Sequence, residues 1–266
     1  MQFETITTSD LDKLRNLQPQ DWADIIPDIE YYIKSSICNP MKAIVNDTVA
    51  GTGTSIVFDK TAWIAHIIVD REFRNKGIGY KIVSNLIENL KSKSIETCSL
   101  IATDLGKPLY LKTGFRIVGE YSFLQREKPW ENYPVSENII SYTDEYRNEI
   151  YELDKKISGE SREKLLTDFL ANSLLYVEKN KLLGYYLPNL KEGLIFADSD
   201  EAGLELMKLK YSRVDKAVLP SDNTVGIKFL IQNGFVETKK ASRMIYGKDI
   251  DWIPTKVFNR IGGNLG

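Results

Sequence analysis

One stretch of the chain has the residue types and spacing to hold a phosphate. In WIAHIIVDREFRNKGIGY, residues 63–80, an apolar run ends at Val69 and a charged connection follows. Arg74, Gly77 and Gly79 then open a long amphipathic segment. Glycine lets a backbone come close to a ligand. The free amides of a helix's first turn point at that ligand, and the helix dipole favours an anion there. Arg74 and Lys76 add positive charge. Two common phosphate motifs do not fit. A P-loop needs Gly-Lys-Ser/Thr, which is absent, and a dinucleotide fingerprint needs a third glycine where Ile82 stands.

Composition narrows the remaining chemistry. The 266 residues include one histidine, His66, and two cysteines, Cys38 and Cys98. That excludes a four-thiolate or His-rich metal site and a disulfide framework, and no metal is expected. A Ser-His-Asp or Cys-His triad would have to run through His66. Lys+Arg is 35 against Asp+Glu 37, so there is no global field for nucleic acid. No apolar run reaches the ~18 residues of a membrane helix. The opening MQFETITTSDLDKL lacks the blocks of a signal peptide. The expectation is a cytoplasmic protein with reduced cysteines and neither a nucleic-acid nor a membrane partner.

The elements that must position the glycine-rich stretch can be read from periodicity. Residues 9–17 begin a helix with Ser9 as its cap, and residues 22–37 read as a helix broken near Pro27. Residues 42–46, 49–58 and 63–69 are strand-like. From 77 to 93, Ile78, Ile82, Val83, Leu86, Ile87 and Leu90 make one helical face. A strand at 97–102 and a short helix at 107–113 follow, stopped by Gly114. Residues 115–125 read as two strands or a hairpin. The polar stretch REKPWENYPVSEN, 126–138, has two prolines and no periodicity, which suits a linker. Beyond it, helices are expected at 144–153, 161–170, 199–209 and 224–233. Strands are expected at 174–179, 182–187 and 214–219, with a final pair within 235–246. Length alone suggests two domains, and LKTGF at 111–115 has a faint echo in IQNGF at 231–235.

A third phosphate motif does fit: the acyl-coenzyme A pyrophosphate loop, Arg/Gln-x-x-Gly-x-Gly/Ala after a strand, matches Arg74, Gly77 and Gly79. Residues 1–125 thereby resemble the GNAT superfamily of N-acetyltransferases. Arg71 stands where proline is common in that motif. Leu109-Tyr110-Leu111-Lys112-Thr113-Gly114-Phe115 resembles the second signature of the family. The wording is nearer still to the bacterial YitH-like branch, through Trp63-Ile64-Ala65, Gly106-Lys107-Pro108, Gly159-Glu160-Ser161-Arg162 and Arg243-Met244. The resemblance implies an α/β (α+β) fold of tandem GNAT-like domains, each a mixed, mostly antiparallel sheet flanked by helices. The first, 1–125, would bind acetyl-CoA and catalyse. The second, 139–266, would be a degenerate partner, because it has no Arg-x-x-Gly-x-Gly and carries Leu230 at the position 120 beyond Tyr110.

What the resemblance implies for the site is transfer of acetyl from acetyl-CoA to a primary amine, through a tetrahedral intermediate. The expected acceptor is a small molecule. Ile67, Ile68 and Val69 would bond the pantetheine arm. Arg74, Asn75, Lys76, Gly77, Ile78, Gly79 and Tyr80 would hold the pyrophosphate. Tyr110 matches the tyrosine that serves the departing thiolate. The base is less direct. Family members with Glu or His four or six residues before the strand-end valine have it where Ala65 and Trp63 stand here. His66 lies on the other side of an ideal strand unless a bulge re-aims it. Asp28 and Glu30 lie in the early helix and are candidate substrate contacts, with Trp22, Tyr31 and Tyr32 as pocket walls or core. Arg162 could grip an anionic substrate group or sit in an ion pair. A non-catalytic acyl-CoA sensor is the alternative of a different class.

Overall fold

The computed structural model describes residues 1–20, 22–127 and 134–266. The chain forms two compact units. One comprises Met1–Leu100, Asp104–Arg116 and Met244–Lys248; the other comprises Ile101–Thr103, Ile117–Arg243 and Asp249–Gly266. Part of the expected linker, residues 128–133, lies outside the described residues.

The chain runs β1 (Gln2–Thr5), α1 (Leu11–Arg15), α2 (Ile26–Lys34), β2 (Cys38–Val45), β3 (Thr48–Phe58), β4 (Thr61–Val69), α3 (Ile78–Ser92), β5 (Thr97–Ala102), α4 (Lys107–Lys112) and β6 (Arg116–Gln125). In the first unit β1 to β4 are antiparallel neighbours, and β4 pairs with β5 in parallel. The residues foreseen on the apolar face of α3, Ile78, Ile82, Val83, Leu86, Ile87 and Leu90, are its buried ones. Each is worth roughly 1.5–3 kcal/mol by burial. They pack close to the sheet because β3 offers no side chain at Gly53, where a Cβ would lie 2.9 Å from Ile82.

The second unit continues with β7 (Ile139–Ser141), α5 (Arg147–Ser158), α6 (Glu163–Thr167), β8 (Leu174–Glu178), β9 (Lys181–Leu187), β10 (Leu194–Ala197), α7 (Asp200–Tyr211), β11 (Lys216–Pro220), α8 (Thr224–Gln232), β12 (Val236–Gly247) and β13 (Val257–Asn259). Strands β13, β10, β9, β8 and β7 form a five-stranded antiparallel sheet. The core between sheet and helices includes Tyr176, Ile195, Leu206, Tyr211, Leu230 and Phe258.

Several boundaries differ from expectation for local reasons. Thr7, not Ser9, caps the first turn, in a capping box whose Thr7 amide donates to Asp10 Oδ2 at 2.8 Å. Pro27 sits in the first turn of α2, where proline starts a helix rather than breaking one. Residues 116–125 and 236–247 are single long strands, not pairs. Gly119 is no turn; a Cβ there would lie 3.2 Å from the Trp252 ring. Strand β6 belongs from Ile117 to the second unit, where it pairs antiparallel with β11. The end of β12 belongs to the first, where Phe115 stacks on Tyr246 at 5.7 Å and Thr97 Oγ1 donates to Lys248 O at 2.8 Å. The first compact unit thus differs from residues 1–125 in leaving out Ile101–Thr103 and 117–125 and in taking in Met244–Lys248.

Candidate active site

Strand β4 has two features that matter. Its ladder with β5 covers Thr61, Ala62 and Trp63, opposite Thr97, Cys98 and Ser99, and then ends. The rest of β4, to Val69, keeps β3 on one side and, among the described residues, has an open backbone edge on the other. The second feature is a bulge. Ala65 opposes Thr54 and Ile68 opposes Thr52, so His66 and Ile67 together face Gly53. His66 takes the left-handed conformation, φ 50°. Gly51 and Gly53 face α3, so Thr52, Thr54 and Ile56 and their partners Ile68, Ala65 and Trp63 face the other way. Ile68 accordingly packs with the α1 and α2 residues.

The bulge turns His66 onto that face as well, against α2. Its Nδ1 lies 3.0 Å from Tyr32 Oη, and its Nε2 lies 3.4 Å from Asp28 Oδ2. A carboxylate only accepts, so Nε2 carries the proton and Nδ1 accepts from the Tyr32 hydroxyl. Asp28 and Tyr32 are four apart, hence on one face of α2. The Trp22 indole meets the imidazole edge-on at 6.0 Å. The His66 side chain is 8% exposed and that of Asp28 is 23%, so the carboxylate is the more open end of the chain Tyr32–His66–Asp28.

Burial pushes His66 down to about 4 from 6.5. The pairing with Asp28 does not offset it. Between pH 6.5 and 4 the unfolded chain then binds more protons than the folded one. Stability present above pH 6.5 is therefore lost as pH falls towards 4, by about 3 kcal/mol. Urea unfolding of wild type and His66→Gln at pH 7 and pH 4 checks this. The variant is expected to lose less stability by about that amount; equal losses would contradict a buried neutral imidazole.

The connection from β4 to α3 is shaped locally. Asp70 accepts from the Glu72 amide at 2.8 Å, and Arg74 Nε donates to Val69 O at 3.2 Å. Asn75 and Gly77 are both left-handed, φ 61° and 76°. A Cβ on Gly77 would meet nothing within 4 Å, so conformation and not space calls for glycine there. At Gly79 a Cβ would lie 3.2 Å from Leu109. Lys81 N donates to Gly77 O at 3.1 Å and closes the first turn of the helix. The amides before it make a cradle of donors at the positive end of the helix dipole. Open space at Gly77 and two left-handed residues beside unpaired amides fit a pyrophosphate.

Tyr110, in α4, is buried and stands edge-on to Phe115 at 5.8 Å. Burial pushes its hydroxyl up to about 12, so at neutral pH it keeps its proton and can donate.

Two family models match the chain. The model described as the acetyltransferase (GNAT) family matches residues 8–115, and a second, an acetyltransferase (GNAT) domain, matches 150–258. The chain belongs to the GNAT acetyltransferase family. It is a tandem GNAT protein and an acyltransferase. The uncharacterized N-acetyltransferase YitH of Bacillus subtilis is 26% identical over 214 residues, 72% of each chain. A provisionally named acetyltransferase of Pyrococcus horikoshii shares the fold with TM-score 0.82 at 17% identity, over 99% of this chain and 95% of that one. A GCN5-related N-acetyltransferase from Sphaerobacter thermophilus gives 0.65 at 15% identity, over 94% and 98%.

The two remaining substrate candidates are Glu30 and Arg162. Glu30 is exposed, while Ile26, Ile29 and Tyr32 form the buried side of α2. Arg162 is buried in the second unit. Its Nε and one terminal nitrogen donate to the two Asp154 oxygens at 2.9 and 2.6 Å, and its guanidinium lies over Phe196. Tyr185 Oη donates to the same carboxylate at 2.5 Å. Arg162 thus makes the ion pair that was one of its two expected roles. Tyr32, expected as a pocket wall or core, is hydrogen-bonded to His66, a contact whose signal in the sequence is its spacing from Asp28. Among the described residues no group of three His, Cys, Asp or Glu could hold a metal, and no helix is long and apolar enough to cross a membrane.

Proposed function

We propose that the first unit transfers the acetyl group of acetyl-CoA directly to a primary amine of a small molecule. One observation carries the reading: the open edge of β4 and the unpaired amides at the start of α3 lie at the two ends of one short connection. The first suits an extended arm that needs backbone partners, the second a pyrophosphate. The bound coenzyme supplies a thioester open to attack by nitrogen.

The residues divide the work as follows. Backbone groups of Ile67, Ile68 and Val69 hold the arm, and the amides of Asn75 to Tyr80, with the charges of Arg74 and Lys76, hold the phosphates. Tyr110 donates a hydrogen bond to the leaving thiolate. A thiol of pKa about 8.5 is a tolerable leaving group, so a phenol that stays protonated is adequate help. An alkylamine of pKa about 10.4 is neutral in only about one molecule in 10³ at pH 7. Asp28 receives the ammonium and, as the solvent-facing end of its chain, lets the released proton reach water. Both His66 nitrogens are engaged, so His66 is a positioning residue that fixes Asp28, and Tyr32 fixes His66.

Acetyl-CoA offered with a panel of small amines, followed by thiol release, tests the reading. On the acceptor side, Asp28→Asn is expected to lower kcat/KM for the amine about 100-fold while acetyl-CoA affinity stays within about twofold. An unchanged kcat/KM would remove Asp28 from the acceptor site.

A further inference from the structure

The second unit repeats the order of the first: β10, α7, β11, α8 and β12 follow one another as β4, α3, β5, α4 and β6 do. Where β4 parts from β5 the first unit leaves an edge open. The corresponding place between β10 and β11 is filled by β13. On one side β13 pairs antiparallel with β10, Ile195 opposite Asn259 and Phe196 opposite Val257. On the other, Arg260 N donates to Val218 O of β11 at 3.0 Å. The Asn259 side chain locks the insertion. Its Oδ1 accepts from Tyr211 Oη at 2.7 Å, and its Nδ2 donates to Gly193 O at 2.7 Å and Arg260 O at 2.8 Å. Asn223 Nδ2 donates to Val257 O at 2.9 Å.

The phosphate end is closed too. Eight residues, 70–77, link β4 to α3, but only two, 198 and 199, link β10 to α7. The Ser199 hydroxyl accepts from the Ala202 amide at 3.2 Å, and Asp200 and Glu201 put negative charge in the first turn. Lys256, just before β13, lies 3.6 Å from Asp200. A Cβ at Gly203 would run into the Phe258 ring of β13, so the close approach that glycine allows is used by the chain's own phenylalanine.

We propose that residues 257–260 are the permanent occupant of the second unit's coenzyme cleft, an internal strand standing where a pantetheine arm would lie. The chain therefore binds one coenzyme, in the first unit alone. The test is calorimetric titration of the full chain with CoA. One site per chain is expected in the wild type, and the same single site, weakened about 100-fold, in Gly77→Val. Two sites in the wild type would overturn the proposal. No binding to the wild type would agree with a closed second cleft and would instead overturn the reading of the first loop. Asn259→Ala is expected to lower the melting temperature by roughly 5–10 °C and to leave CoA affinity within about twofold. An unchanged melting temperature would overturn the locking role. Hydrogen exchange on the unaltered chain needs no variant to fold: the Arg260 amide should be as protected as the amides of β10, and rapid exchange would count against a permanent occupant.

Discussion

Gly77→Val should weaken coenzyme binding about 100-fold and leave the fold intact. The fold is spared because a side chain at Gly77 meets open space. The binding is not spared, because the residue sits at φ 76° immediately before α3. A non-glycine residue pays roughly 1–2 kcal/mol for that conformation, and a β-branched one more. The loop relieves the strain by turning, and each amide that turns away is one donor fewer for an anion. Two such losses at roughly 1.5 kcal/mol each, the usual worth of a hydrogen bond to a charged group, give the expected factor. Titration with CoA measures it, and circular dichroism verifies the fold. Affinity within about threefold of wild type would remove residues 75–80 from the coenzyme site.

Tyr110→Phe should lower kcat about 100-fold and leave the affinity for acetyl-CoA unchanged. The phenyl ring survives, and with it the edge-on contact with Phe115 and the burial of α4. What goes is one hydroxyl hydrogen that burial holds in place up to about pH 12. It matters where negative charge develops on sulfur, hence in kcat and not in binding. The hydroxyl donates without ionising, so the wild-type rate should show no loss assignable to Tyr110 up to pH 10. A kcat that survives the substitution would make Tyr110 a packing residue.

How much of this was legible in the sequence depends on the range of the interaction. The face of α3 and the glycine stop at Gly114, φ 93°, are set by residues within two turns, and both stand as read. The phosphate cradle is local for the same reason. The bulge at His66 was not: its left-handed backbone is fixed by the register of β3 and by Tyr32 and Asp28, more than thirty residues away. The exchange of β6 and the end of β12 between units is longer in range still. Neither strand's alternation says which edge it will join. Arg162 illustrates a different limit. The sequence allows a substrate grip or an ion pair, and only the packing of α5 brings Asp154 to it. The three residues of β13 are too few for any periodic signal, although they close the second cleft.

In the proposed function the open edge of β4 and the amides of α3 serve acyl transfer to an amine. Free thiol followed over time, with acetyl-CoA and a panel of small amines, tests it most directly when wild type and Gly77→Val are run side by side. Thiol release that depends on the amine, saturates with it and is lost in Gly77→Val is the predicted result. Coenzyme binding with no amine-dependent thiol release across the panel would contradict it and make the first unit an acyl-CoA sensor.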